Sequence, residues 1–185
     1  MNSVTNINDI LERSKELAIV NKRITREIKN FKKDKKKYKK LKDKTLSYIN
    51  IHKVRNDVRH IQMVIKGPKD SPYEGGYFDF RVHMVDDYPY DPPQVYLVTP
   101  IYHPNIDKTG KICLSILKKD DGKNEKPWNS MITLKTLGMS LGILLSNPNL
   151  DDPLDTAVAD AFTKNKEKAT NVAKEWTKKY ASEKS

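Results

Sequence analysis

The chain has 185 residues, 37% of them hydrophobic and 32% charged, with a formal net charge of +11 and one cysteine. That length accommodates a single domain with a sizeable core plus an extension. No apolar stretch approaches the ~18–20 residues of a membrane span, the polar N-terminus has no signal-peptide core, and one Cys with four His allows neither an internal disulfide nor a metal-ligand spacing. A reduced, cytosolic or nuclear protein is expected.

Residues 8–33 carry Ile10, Leu17, Val20, Ile24, Ile28 and Phe31 at spacings that place them on one helical face, with Asn8 or Ser14 as cap candidates. Residues 32–44, KKDKKKYKKLKDK, hold nine lysines against Asp34 and Asp43, a net +7. They read as a break after the helix: a solvated basic loop, or a surface for an anionic partner such as nucleic acid or an acidic protein. Tyr38 is its one aromatic, thin support for a base-stacking platform. Period-two patterns predict strands over 46–52, 58–65, 77–85 and 94–99, punctuated by Gly67-Pro68 and Gly75-Gly76. Short connections make these four an antiparallel meander.

From Pro100 to about residue 133 no regular period appears, and a loop of that length in a compact domain is a place where function concentrates. Helical period resumes over 133–146, with Leu134, Leu137, Leu141, Leu144 and Leu145 on one side, and Pro148 ends it. Two more helices are read, from Leu154 to Phe162 and from Lys166 to Ala181, the last carrying Val172, Trp176 and Tyr180. The fold class is α+β: a helix, four strands, a long loop, three helices.

Candidate chemistry clusters in 88–128. Three prolines stiffen Tyr88-Pro89-Tyr90-Asp91-Pro92-Pro93; His103-Pro104-Asn105 follows, then Cys113, then Trp128. Taken singly each has an ordinary structural explanation, a lone Cys being most often a small buried hydrophobe. No His–Cys–carboxylate arrangement stands at triad-like positions, so thiol hydrolysis gains little support. An amide such as Asn105 near a thiol can donate to an oxyanion, a contact worth ~10²–10³ in rate. A thiolate is strongly nucleophilic and its thioester stays reactive toward amines, so the set suits an acyl carrier better than a hydrolase.

At these residues the chain resembles the ubiquitin-conjugating enzymes. TPIYHPNIDKTGKICLSIL at 99–117 is similar to their active-site signature. GPKDSPYEGGYFDF at 67–80 and DYPYDPPQV at 87–95 resemble their strands and proline turn. NKRITREI at 21–28 resembles their first helix, while PNLDDPL at 148–154 and AKEWTKKYA at 173–181 resemble the last two. The resemblance covers 19–182, leaving 1–18 as an extension, helical in part, and 183–185 as a tail.

It implies the ubiquitin-conjugating fold and an acyltransferase. Cys113 would take ubiquitin or a ubiquitin-like modifier from an activating enzyme as a thioester and pass it to a substrate lysine, usually with a ligase. Asn105 would steady the loop and the oxyanion, His103 would be structural, and Asp152 would stand beside the incoming lysine. Lys22, Arg23 and Arg26 would meet the activating enzyme; Tyr90, Trp128 and Met131 would meet the ligase. No cofactor or metal is implied, ATP being used upstream by the activating enzyme.

Four departures qualify this. Ser115 stands where an Asp is common, KKDDGKNEKP at 118–127 is inserted, Asn129-Ser130-Met131 replaces a usual Ser-Pro-Ala, and Leu150 replaces a proline. The third weakens the expectation of RING-type ligase binding. Residues 99–107 and the insertion are similar to the subgroup that monoubiquitinates DNA-repair proteins; residues 107–114 and the last helix are similar to the chain-building subgroup that pairs with an inactive variant. Both stay open. Of the rival classes, an inactive scaffold of this fold would lack the Cys that is present here. A nucleic-acid module driven by 32–44 would show steeply salt-dependent binding.

Overall fold

The computed structural model describes residues 7–55, 57–120, 122 and 126–182. Residues 1–6 of the expected extension, positions 121 and 123–125 of the insertion, and the 183–185 tail lie outside these. The opening segment is one helix, α1 (Ile7–Lys40), so the lysine stretch does not break it. Residues 32–40 hold neither Gly nor Pro, Lys is a good helix former, and ammonium groups near a helix C-terminus lie favourably against its dipole. Lys35 reaches the Ile49 carbonyl and Asn50, and Asp34 pairs with Lys135 at 2.7 Å. The helix stops beside Lys42, which adopts a left-handed φ of 57°. Asn8 and Ser14, expected as caps, lie inside it. Its buried residues run only from Val20 to Phe31; Ile10, expected on the buried face, is exposed.

Four antiparallel strands follow in sequential order: β1 (Ile49–Val54), β2 (Asp57–Lys66), β3 (Tyr77–His83) and β4 (Gln94–Leu97). Leu46 and Tyr48, expected in the first strand, fall in the turn ahead of it, with Leu46 buried. The register aligns apolar residues across the sheet: Ile51 faces Met63, Met63 faces Phe80 and Phe80 faces Leu97, all on the buried side. Onto that face packs α2 (Leu134–Ser146), started by Thr133, whose side chain accepts the Thr136 N–H. Gly138 permits the approach, since a Cβ there would lie 3.2 Å from Ile49 and Met63 side chains. Two helices close the chain, α3 (Thr156–Lys164) and α4 (Lys166–Tyr180), capped by Asp155 and Asn165. The buried side of α4 is Ala169, Ala173 and Thr177, small residues that admit close packing, whereas Tyr180 is exposed and Val172 and Trp176 are half-buried.

The observed architecture is the expected α+β arrangement. Among the described residues no helix is long and apolar enough to cross a membrane. Between β4 and α2 the described residues are irregular apart from a 3-10 turn at Ser115–Leu117, and short bridges tie them down: Tyr96 to Lys111, His103 to Ile106, Ile106 to Ile112.

Candidate active site

His103-Pro104-Asn105 is a buried staple. The His103 ring accepts the Asn105 N–H at Nδ1 (3.0 Å), so Nε2 carries the proton and donates to the Leu144 carbonyl near the end of α2 (3.0 Å). Burial pushes this imidazole down to about 4, so it stays neutral. The Pro104 carbonyl accepts the N–H groups of Leu154 and Asp155 at the start of α3. Asn105 is 1% exposed, and its amide is fully engaged by the 149–152 loop. Nδ2 donates to the carbonyls of Asn149 (2.6 Å) and Asp152 (3.1 Å), and Oδ1 accepts the Asn149 N–H (2.8 Å). The expected oxyanion donor is therefore occupied as a loop tie, because the two amide hydrogens already have acceptors.

Backbone geometry then sets the thiol. The Cys113 N–H donates to the Asn105 carbonyl at 2.9 Å, placing the half-buried side chain beside the tied loop. Its Sγ donates to Asp152 Oδ2 at 3.2 Å, and Lys118 Nζ donates to that same oxygen at 3.0 Å. Burial, then the Asp152 contact, pushes the thiol above its ordinary range, while Lys118 draws it back. The Lys118 hydrogen bond, then the thiol, holds the Asp152 carboxyl below the usual carboxylate range. The folded chain thus brings together a thiol, a carboxylate and an ammonium, with His103 and Asn105 holding the loops around them. Lys118 had no signal in the sequence: its partner is 34 residues away, and only the tied loop brings them together.

The expected partner-binding residues divide by exposure. Tyr90 and Met131 are 82% and 86% exposed, and Lys22 and Arg26 are exposed on α1. Trp128 is not a surface contact: it is 5% exposed, its indole N–H donates to the Pro89 carbonyl, and it packs on Tyr88. An indole that buries its ring needs an acceptor for its N–H, and the proline turn provides one. Arg23 is likewise turned inward, donating to Glu27 and the Ser130 carbonyl over the Tyr88 ring. Buried Glu27 completes this knot by accepting the Tyr88 hydroxyl and the Leu134 N–H, a role that composition alone does not reveal. Among the described residues no group of three His, Cys, Asp or Glu is placed to hold a metal ion.

The chain is similar to known proteins along most of its length. Residues 6–177 match the family described as ubiquitin-conjugating enzyme. Ubiquitin-conjugating enzyme E2 13 of Schizosaccharomyces pombe is 44% identical over 126 residues, covering 68% of this chain and 80% of that protein. Ubiquitin-conjugating enzyme E2 N of Drosophila melanogaster is 42% identical over 135 residues, covering 73% and 85%. Among solved structures, the E2 domain of a Toxoplasma gondii ubiquitin-conjugating enzyme superposes with a TM-score of 0.66 at 31% identity, covering 92% of this chain and 98% of that one.

Proposed function

The chain belongs to the ubiquitin-conjugating enzyme family, acyltransferases that move ubiquitin through a cysteine thioester, and on that footing we propose that Cys113 is the carrier thiol. The observation that carries this is the half-buried Sγ standing 3.2 Å from the Asp152 carboxylate at the mouth of the tied loop. In charging, the Cys113 thiolate attacks the thioester carbonyl on the activating enzyme and that enzyme's cysteine leaves as a thiolate. In discharge, a neutral lysine amine attacks the new thioester; the C–N bond forms, the C–S bond breaks, and Cys113 leaves as a thiolate. Its depressed pKa makes Asp152 an ionised carboxylate and a weak base, so it acts by holding and aiming the acceptor amine, which sheds its proton to solvent.

Charging with activating enzyme, ATP and ubiquitin, read on a non-reducing gel, tests this. A thiol-sensitive adduct is expected, absent in Cys113→Ala and converted to a thiol-resistant oxyester in Cys113→Ser. Charging that survives Cys113→Ala sinks the proposal. Ubiquitin, an activating enzyme and a ligase are the partners the family requires. Exposed Lys22 and Arg26 suit the activating enzyme, and exposed Tyr90 and Met131 suit the ligase. The lysine face of α1 serves encounter with an acidic partner or nucleic acid, since Lys32, Lys33, Lys36, Lys37, Lys39 and Lys40 are exposed there. Neutralising four of its exposed lysines should leave discharge onto free lysine unchanged and weaken low-salt partner binding; slower discharge would refute this.

A further inference from the structure

Lys118 ends the 3-10 turn that follows Cys113 and forms the base of the 118–127 insertion. Its backbone is fixed on both sides: its N–H donates to the Ser115 carbonyl (3.0 Å) and its carbonyl accepts the Trp128 N–H (2.9 Å). The next residue is pinned the opposite way, Lys119 pairing with Asp91 of the proline turn at 2.6 Å. With its base held, the Lys118 side chain crosses toward the thiol. Its Nζ meets Asp152 Oδ2 at 3.0 Å, the oxygen that also takes the Cys113 thiol at 3.2 Å.

A lysine that attacks a thioester on Sγ must bring its nitrogen within ~3–3.5 Å of the carbonyl carbon bonded to that sulfur. The carboxylate available to receive and aim it is Asp152, and an ammonium of the same kind is already there. We propose that Lys118 is a built-in stand-in for the acceptor lysine: it occupies the amine's place at Asp152, must be displaced before transfer, and so sets the amine concentration at which discharge runs. This deepens the reading of Cys113 and Asp152 given above and rests on it. The exchange replaces one ammonium by another at a carboxylate, so its cost is that of one partly exposed ion pair, 40% and 60% exposed on the two side chains. Such pairs are weak, which puts the competition at about two- to fivefold in amine concentration.

The test uses protein already charged, because the Lys118 ammonium also draws the thiol's pKa down and its loss would slow charging. The parent, Lys118→Met and Lys118→Arg are loaded with ubiquitin, the activating enzyme is stopped by chelating its magnesium, and thioester loss is followed against free lysine concentration. Lys118→Met should reach half-maximal discharge at two- to fivefold less lysine with the maximal rate unchanged. Lys118→Arg, which keeps a cation on Asp152, should match the parent. An unchanged half-saturation in Lys118→Met, or a lower maximal rate, would overturn the proposal and make Lys118 a support for Asp152. Ubiquitin transferred to Lys118 without added amine would also overturn it, because Lys118 would then be a substrate. If the parent forms no thiol-sensitive adduct at all, the failure lies with the assignment of Cys113, and the two cases read differently on the same gel.

Discussion

Asn105→Ala separates two roles that an amide beside a thioester could play. The side chain is 1% exposed and makes three hydrogen bonds, two donated to the carbonyls of Asn149 and Asp152 and one accepted from the Asn149 N–H. A net ~1 kcal/mol per bond, plus a fraction of the penalty for groups left unpaired, gives a stability loss of about 2–4 kcal/mol; the freed groups sit on a loop that water can reach, which keeps the figure low. For a chain of this size each kcal/mol shifts the melting temperature by roughly 2–4 °C, so the variant should melt roughly 5–15 °C lower. Because losing the tie frees Asp152, discharge onto free lysine should fall as well, while charging should change little, since Cys113 keeps its backbone bond to the residue-105 carbonyl. The assay pairs a thermal melt with single-turnover discharge of preformed thioester. A variant that melts within about a degree of the parent yet discharges ~10²-fold more slowly would refute the loop-tie reasoning and return Asn105 to the oxyanion.

Three further outcomes are expected. His103 has its pKa lowered to about 4 from an ordinary value near 6.5, so the folded chain binds that proton less readily than the unfolded one. Its contribution to stability is complete above about pH 6.5 and should fall by about 3 kcal/mol as pH drops toward 4, a slope that urea titrations at several pH values should find reduced in His103→Gln. Asp152→Asn removes an anion that raises the Cys113 thiol, so iodoacetamide should alkylate Cys113 faster at pH 8; slower alkylation would reverse the electrostatic assignment. Glu27→Ala leaves Arg23, the Tyr88 hydroxyl and the Leu134 N–H without their shared acceptor and should cost about 3–5 kcal/mol in chemical denaturation, against about 1 for Tyr88→Phe.

What the sequence conveyed was whatever local pattern carries. Alternation in 58–65 and 77–82 marked strands because one face of each is buried, and the leucines of 134–145 marked α2 for the same reason. The motif from His103 to Cys113 pointed to the thiol that the structure sets beside Asp152. What local pattern does not carry is how groups satisfy one another over long separations. A dense lysine run looked like a break, yet residues 32–40 hold neither Gly nor Pro and continue the helix to Lys40, and Asp34 finds its cation on α2. The resemblance implied partner contacts for Trp128 and Arg23, and the sequence did not show that the Pro89 and Ser130 carbonyls accept from them, burying Trp128 and partly burying Arg23. The loop-steadying role implied for Asn105 rests on acceptors 44 and 47 residues away, and Lys118, at the start of the insertion, gave no sign of its partner Asp152, 34 residues away.

The length of α1 has a mechanical meaning. Its 34 residues extend ~51 Å at 1.5 Å per residue, yet only the stretch from Val20 to Phe31 is buried against the body. The helix therefore runs past its buried stretch at both ends, held there by polar contacts: Arg13 pairs with Asp86 below exposed Ile7, Ile10 and Leu11, and Asp34 and Lys35 reach Lys135, Ile49 and Asn50 at the start of the lysine-rich turns. A flexible tail would let those two surfaces fold back toward each other or toward the thiol. A continuous helix instead holds Ile10 and Lys37 at a fixed separation of ~40 Å, like marks on a ruler. Anything that grips both ends at once must itself have that span, and anything that grips one end is carried by a rigid arm whose direction the buried middle has already set.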